Sequence, residues 1–419
     1  MTLEELDLPY LPMEDPDFAR NPYPYLDQAR QAHPWLAKGA FGYVVHQYKA
    51  IQDLLRQDGP LQSSYDGIVD MMDANDTPWG EWTKRHLLAA QQEQHLRMRN
   101  VLAPKFTPRQ ANENRELMRS VIASLLDEWA PKGAFDFEEF ASYFPITVMC
   151  TLIGAPPSAI PSLRASLEAL GLSASMLREH VPALQIAFEQ IDAFSQQLVA
   201  QRRAGVRLRP QPDMLDDLLE AVDSGGLAER ELYDLLVFLF VAGFDTSKNM
   251  LTIIMSLMID HPEKYARCAE DYAYCRMVME ETFRYCSPAT IPRVTTEDVE
   301  YRGVTIPAGT TLFFPVSLAG RDPAAFSEPD KFEPERNKRS SHMAFGMGMH
   351  MCLGQFIARA QIHEGLYLIA QRIKVPKRAG PSGWRPFYGV WGMRGLPITF
   401  TAAPAPDVRQ PAHVTEHEH

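Results

Sequence analysis

The chain has 419 residues, 46% hydrophobic and 22% charged, enough to bury a large core, and its length alone is compatible with two or three domains. Its formal net charge of -12 excludes a surface built to neutralise phosphates, because nucleic-acid binders carry a basic excess or stripe; small or neutral partners fit better. Five cysteines, odd in number and thinly spread, exclude a disulfide framework.

Taken in chain order, the opening Met-Thr-Leu-Glu-Glu-Leu-Asp-Leu-Pro-Tyr is acidic and Pro-interrupted, neither a secretory signal nor a membrane anchor. No later stretch reads as long and apolar enough to span a bilayer, so the expected location is the cytoplasm. Gln94-His95-Leu96-Arg97-Met98-Arg99 places His95 and Arg99 one helical turn apart, two donor groups on one face, which suits carboxylates and equally an ordinary basic surface. The stretch 235–258 reads as one long apolar helix, with Met250, Ile254, Leu257 and Met258 on one face, interrupted by Ala242-Gly243-Phe244-Asp245-Thr246-Ser247. Glycine in mid-helix costs roughly 1 kcal/mol against alanine, and buried Asp and Thr need partners. A close helix crossing accounts for Gly243 but not for the adjacent Asp245-Thr246.

Glu281 and Arg284 share a helix face with Met277, and such pairs are usually solvated bridges worth little. Strand signals are short: Val304-Thr305-Ile306 and Thr311-Leu312-Phe313-Phe314 on either side of the turn Ile306-Pro307-Ala308-Gly309, and later Leu396-Pro397-Ile398-Thr399-Phe400. Ile362-Leu366-Ile369-Ile373 is again helical, and the segment from about Ala403 has too little apolar content to pack and is expected to be disordered. The fold class is therefore mainly α with small β-sheets. Cys150, Cys268, Cys275 and Cys286 stand in apolar, helix-like contexts as core packing, whereas Cys352 stands among glycines.

That glycine-rich segment is Phe345-Gly346-Met347-Gly348-Met349-His350-Met351-Cys352-Leu353-Gly354, and the amphipathic run Gln355-Phe356-Ile357-Ala358-Arg359-Ala360 follows at once. Glycines let the backbone turn tightly and approach a flat group, and the helix start behind Cys352 offers N–H groups that stabilise a thiolate. Phe-x-x-Gly-x-His-x-Cys-x-Gly entering a helix resembles the haem-binding signature of the cytochrome P-450 family. The resemblance runs from Asn21-Pro22-Tyr23-Pro24-Tyr25 to Gly395-Leu396-Pro397 and implies one domain over 1–402, a triangular helical body with a β-rich lobe, and a tail over 403–419.

It also implies roles. Cys352 becomes the axial ligand of the iron in haem b (iron protoporphyrin IX), with Phe345 and Gly354 in the binding loop. His95, Arg99, Arg293 and His350 become propionate ligands. Thr246 would hydrogen-bond bound dioxygen and Asp245 relay protons from solvent. Glu281, Arg284 and Arg336 of Phe332-Glu333-Pro334-Glu335-Arg336 would form a buried structural network, and Arg97 would meet an acidic redox partner. Met347, Met349 and Met351 read as packing on the proximal side. The substrate pocket is placed at 63–72, from Leu170 to Phe188, and at Phe238, Ala242, Ala289, Thr290, Ile291, Val390 and Trp391; its apolar character suits a terpenoid, steroid, fatty acyl or aromatic compound.

The implied activity is a haem-thiolate monooxygenase hydroxylating a small hydrophobic substrate. Electrons would come from NAD(P)H through a ferredoxin and ferredoxin reductase, and a monomer is expected. Two other readings stay open: a peroxide-driven peroxygenase of the same fold, and a haem sensor or carrier without turnover.

Overall fold

The computed structural model describes residues 1–337 and 341–405. Nine of its helices and five of its strands position the site. The helices are α1 (Pro78–Thr83), α2 (Gln92–Leu102), α3 (Arg115–Trp129), α4 (Phe137–Ile153), α5 (Ile160–Leu170), α6 (Val181–Arg203), α7 (Glu229–Asp260), α8 (Tyr272–Tyr285) and α9 (Gln355–Arg372).

The 32-residue α7 is the central pillar. Glu229 and Glu231 in its first turn suit the positive end of the helix dipole, and Pro262 follows directly on its last turn. Apolar residues on nearly every side bury it against α4, α5, α6 and α9. Gly243 stands at the crossing with α4, where a Cβ would lie 2.4 Å from Met149 Cγ. By length and composition α7 could cross a membrane, contrary to the sequence expectation; it is a core helix, with 72% of its most apolar window buried.

Beside the helices lies a five-stranded sheet of β1 (Leu36–Gly39), β2 (Gly42–Val45), β3 (Leu61–Ser63), β4 (Ile291–Thr295) and β5 (Thr311–Phe314), in the order β1-β2-β5-β4-β3. Its register sets Arg293 between Ser63 and Leu312. Val304–Ile306 pairs back onto Val299–Tyr301, so the turn at Gly309 (φ +80°) separates two sheets. Two core clusters fill the fold, one around α7 and one beneath the five-stranded sheet, and Cys150, Cys268, Cys275 and Cys286 are all buried in the first. Ala403 is still tied to Arg372 through its backbone; residues 406–419 of the expected tail lie outside the described residues.

Candidate active site

The loop before α9 is shaped by two glycines. Gly346 and Gly348 take φ of +69° and +71°, and a Cβ on Gly348 would lie 2.6 Å from both Leu55 O and Asp58 Oδ1. Asp58 also accepts the Met349 N–H at 2.8 Å, and the Cys352 N–H donates to Phe345 O at 2.8 Å, closing the loop around the sulfur. Gly354 has an ordinary φ of -78°; its smallness matters instead for a Cβ that would sit 4.0 Å from Cys352 Sγ. Cys352 keeps accessible surface, and its side chain opens onto a cavity of about 370 Å³. Burial pushes its free thiol up, opposed by the Gly354 N–H and the charges of Arg99 and Arg359. Met351 is 40% exposed and borders the same cavity, so it is not buried packing as expected.

The same cavity is bordered by His95, Arg99, Arg293 and His350. The His95 and His350 rings are 4.3 Å apart, and Ser63 Oγ is 3.3 Å from His350 Nε2. Arg293 is buried and donates to Pro292 O; Arg99 donates to Met351 O at 2.8 Å. Both ring nitrogens of His95 and Nδ1 of His350 are buried without a hydrogen-bond partner among the described residues. Burial, reinforced by the neighbouring cations, holds His350 at about 3 and His95 at about 4. Crowded donors with unused capacity fit a group bearing two carboxylates.

Across the cavity, α7 presents Ala242, Gly243, Asp245 and Thr246. Thr246 Oγ1 donates to Ala242 O at 3.3 Å, a long bond that leaves the hydroxyl able to redirect. Asp245 is 2% exposed and gripped by Arg385, whose Nη1 lies 2.6 Å from Oδ1 and 2.7 Å from Oδ2. Burial lowers Arg385, and the Asp245 and Glu168 carboxylates more than offset this, so it is raised overall. The fully buried Lys248 lies 3.7 Å from Asp245 and donates to Glu138 and Glu168 at 2.8 and 2.6 Å. Gly171 caps the arrangement: a Cβ there would lie 2.7 Å from both Arg385 and Asp245. Arg385, Lys248 and Gly171 carry no motif, and the unexplained Lys in a core helix was the one available signal.

A thiol opening onto an apolar cavity, a carboxylate-binding cradle and a polar break in the facing helix coincide with the chemistry of one family. The family description Cytochrome P450 matches residues 165–381. Luteothin monooxygenase of Streptomyces thioluteus is 31% identical over 402 residues, 95% of this chain and 97% of that protein. The chain is a cytochrome P450. Pentalenic acid synthase of Streptomyces avermitilis is 32% identical over 75% of the chain and 77% of its own length. The solved structure of P450BioI in complex with a fatty-acyl-ligated acyl carrier protein superposes with a TM-score of 0.82 at 26% identity, covering 92% of this chain and all of that one. Membership makes the protein a haem-thiolate monooxygenase of mainly α fold with small sheets. The donor set fits haem: Cys352 on one side, with His95, Arg99, Arg293 and His350 at the edge.

Several P450 residues were misplaced from sequence. Trp391 turns away from the cavity, donating its indole N–H to Ala19 O at 2.8 Å and stacking on Trp384, whereas its neighbour Val390 lines the cavity with Phe238, Ala242 and Ile291. Of 63–72 only Ser63 and Tyr65 line it, because Ile68, Val69 and Met72 enter the core; Phe188 is likewise core, stacked on Trp82. Arg97 is paired with Glu231, both nitrogens at 2.5 Å, with its side chain still 41% exposed. Glu281 accepts from Arg284 at 2.7 and 2.9 Å and from Arg336 at 3.3 Å, fully buried beside the cysteine loop, and Arg284 also donates to Gly320 O.

One residue earlier on α8, Glu280 ties Arg359 and His342 across the base of the loop at 2.7 and 2.8 Å. Burial raises its carboxyl, but the His342 hydrogen bond and the Arg359 charge prevail and bring it from an ordinary 4.5 to about 2. A depressed carboxylate stabilises the fold above its unfolded value and loses that contribution as pH falls through the folded one. The contribution of about 3 kcal/mol at neutral pH is therefore expected to vanish between about pH 4.5 and pH 2. Acid titrations of stability should show a step in that window that Glu280→Gln removes; identical profiles would refute the assignment.

Proposed function

We propose that this P450 inserts one oxygen atom of dioxygen into a small, neutral, hydrophobic substrate by hydroxylation, in the cytoplasm, with electrons from NAD(P)H delivered by a ferredoxin and ferredoxin reductase. The observation that carries the reading is that Cys352, Thr246 and the buried Asp245 border one mainly apolar cavity. Haem b bound there would supply the oxygen-activating redox chemistry, which a thiolate ligand favours. Cys352 would hold the iron, while His95, Arg99, Arg293 and His350 would fix the cofactor's orientation through its propionates. Phe238, Ala242, Ile291 and Val390 exclude water and receive the substrate. The Thr246 hydroxyl, held only by its long bond to Ala242 O, would donate a hydrogen bond into the cavity, and the Asp245 carboxylate would pass protons toward it.

The test is reconstitution with haem, a ferredoxin, its reductase and reduced nicotinamide. Product should form from dioxygen, and Thr246→Ala should lower product per dioxygen consumed by about tenfold or more while oxygen uptake continues. Turnover driven by hydrogen peroxide but not by reduced ferredoxin overturns the reading in favour of a peroxygenase. Haem binding with no turnover under either supply favours a sensor or carrier.

A further inference from the structure

One wall of the cavity carries a histidine that the chemistry above does not use. His86 follows α1 in a short irregular segment and is 5% exposed, lining the same cavity as Thr246 and Cys352. Three aromatic rings hold its imidazole: Tyr65 edge-on at 4.6 Å, Trp82 edge-on at 5.0 Å and Phe238 tilted at 5.6 Å. Nδ1 accepts the Ala89 N–H at 3.3 Å, which leaves the ring proton on Nε2. Nε2 has no partner among the described residues, and it is absent from the fully buried, unpaired polar atoms, so it is open to the cavity. Burial depresses the imidazole to about 4, keeping it neutral at physiological pH. One turn earlier Thr83, 1% exposed and also lining the cavity, has an Oγ1 with no partner among the described residues, so two polar groups with unused capacity share this wall.

Resting on the monooxygenase reading, we propose that His86 is a specificity-determining residue: its Nε2–H binds a neutral oxygen acceptor, a carbonyl, lactone or ether, carried by an otherwise apolar substrate. The aromatic box makes the donor directional, since rotation of the ring would break the Ala89 bond and lose all three ring contacts. A buried donor left unpaired penalises analogues that lack the acceptor, and this is how a mainly apolar pocket selects among molecules of equal shape. The donor is uncharged, so a carboxylate entering this wall would lose its hydration without meeting a counter-charge. The substrate class is thereby narrowed from any hydrophobe to neutral oxygenated ones.

The test uses the haem-loaded protein, with its thiolate-type carbonyl-adduct band recorded first, so that failure to hold haem counts against the monooxygenase reading rather than against His86. The probes are 9-fluorenone with fluorene, 1-tetralone with tetralin, and fluorene-9-carboxylate, titrated by the ferric spin-state change and by ligand-depletion dialysis. Each ketone should bind about tenfold more tightly than its hydrocarbon, with the carboxylate no tighter than fluorene. The carbonyl stretch of bound 9-fluorenone should fall below its value in alkane solvent. His86→Phe keeps the aromatic volume and should abolish both the preference and the infrared shift; His86→Gln, which restores an N–H, should recover part of each. Should His86→Phe not take up haem, wild type and His86→Gln decide alone. Equal binding of ketone and hydrocarbon, an unshifted carbonyl, preference for the carboxylate, binding of neither pair, or a His86→Phe protein that keeps the preference overturns the proposal.

Discussion

Cys352→Ser is expected to give a folded protein that has lost the thiolate-type spectrum and product formation together, the latter by about three orders of magnitude, roughly 4 kcal/mol of barrier. The fold should survive because the loop is built by its backbone and not by its sulfur. Gly346 and Gly348 set the turns, the Cys352 N–H is held by Phe345 O, and the Met349 N–H is held by Asp58. The thiol itself opens to the cavity, so replacing sulfur by oxygen leaves no hole in the packing. Cys150→Ser is the matched control: that thiol is fully buried in α4, so its change should lower stability by about 1–3 kcal/mol and leave the carbonyl-adduct band untouched. A Cys352→Ser protein that keeps the thiolate-type band would place the iron ligand elsewhere in the chain.

Cys352 was legible in the sequence because its chemistry and its local geometry are written within ten residues. The same holds for Asp245-Thr246, which break an apolar helix, and for Glu281 and Arg284 on one helical face. What escaped reading has its partner far away in sequence or its orientation set by tertiary packing. Arg385 lies 140 residues from Asp245, in a segment with no periodicity, so nothing local marks it as the group that grips the carboxylate. Trp391 and Val390 are neighbours in an extended stretch and therefore face opposite ways; an apolar pair of this kind gives no sign of which one faces the cavity. The helix at Tyr65–Met71 divides in the same manner, with Tyr65 toward the site and Ile68 and Val69 into the core. α7 was expected to fall short of membrane-spanning character, yet a core helix surrounded by other helices becomes apolar for the same reason a bilayer helix does.

The second large effect is expected at Arg385. The guanidinium and the Asp245 carboxylate are 3% and 2% exposed, so Arg385→Leu strands a buried charge, a class of change that costs about 3–5 kcal/mol. The lower end of that range applies, because Lys248 remains 3.7 Å from Asp245 and still binds Glu168, whose carbonyl Arg385 also holds at 3.2 Å. Asp245→Asn strands the guanidinium instead, while Asp245→Asn with Arg385→Leu removes both charges and should recover part of the loss. Denaturant titrations of the four proteins form a cycle whose interaction energy isolates the pair. The pair also joins the two sides of the cavity, since Asp245 belongs to α7 and Glu168 to α5, with Gly171 leaving the space in which they meet. Loosening it should free α5 and release Asp245 from its fixed position, so product per dioxygen consumed should fall in Arg385→Leu. Arg385→Lys, which keeps the charge but loses the second nitrogen that holds Glu168 O, should fall between wild type and Arg385→Leu in both stability and coupling. Additive single-variant losses, or an Arg385→Leu protein as stable and as well coupled as wild type, would show that the ion pair neither holds the roof of the cavity nor positions Asp245.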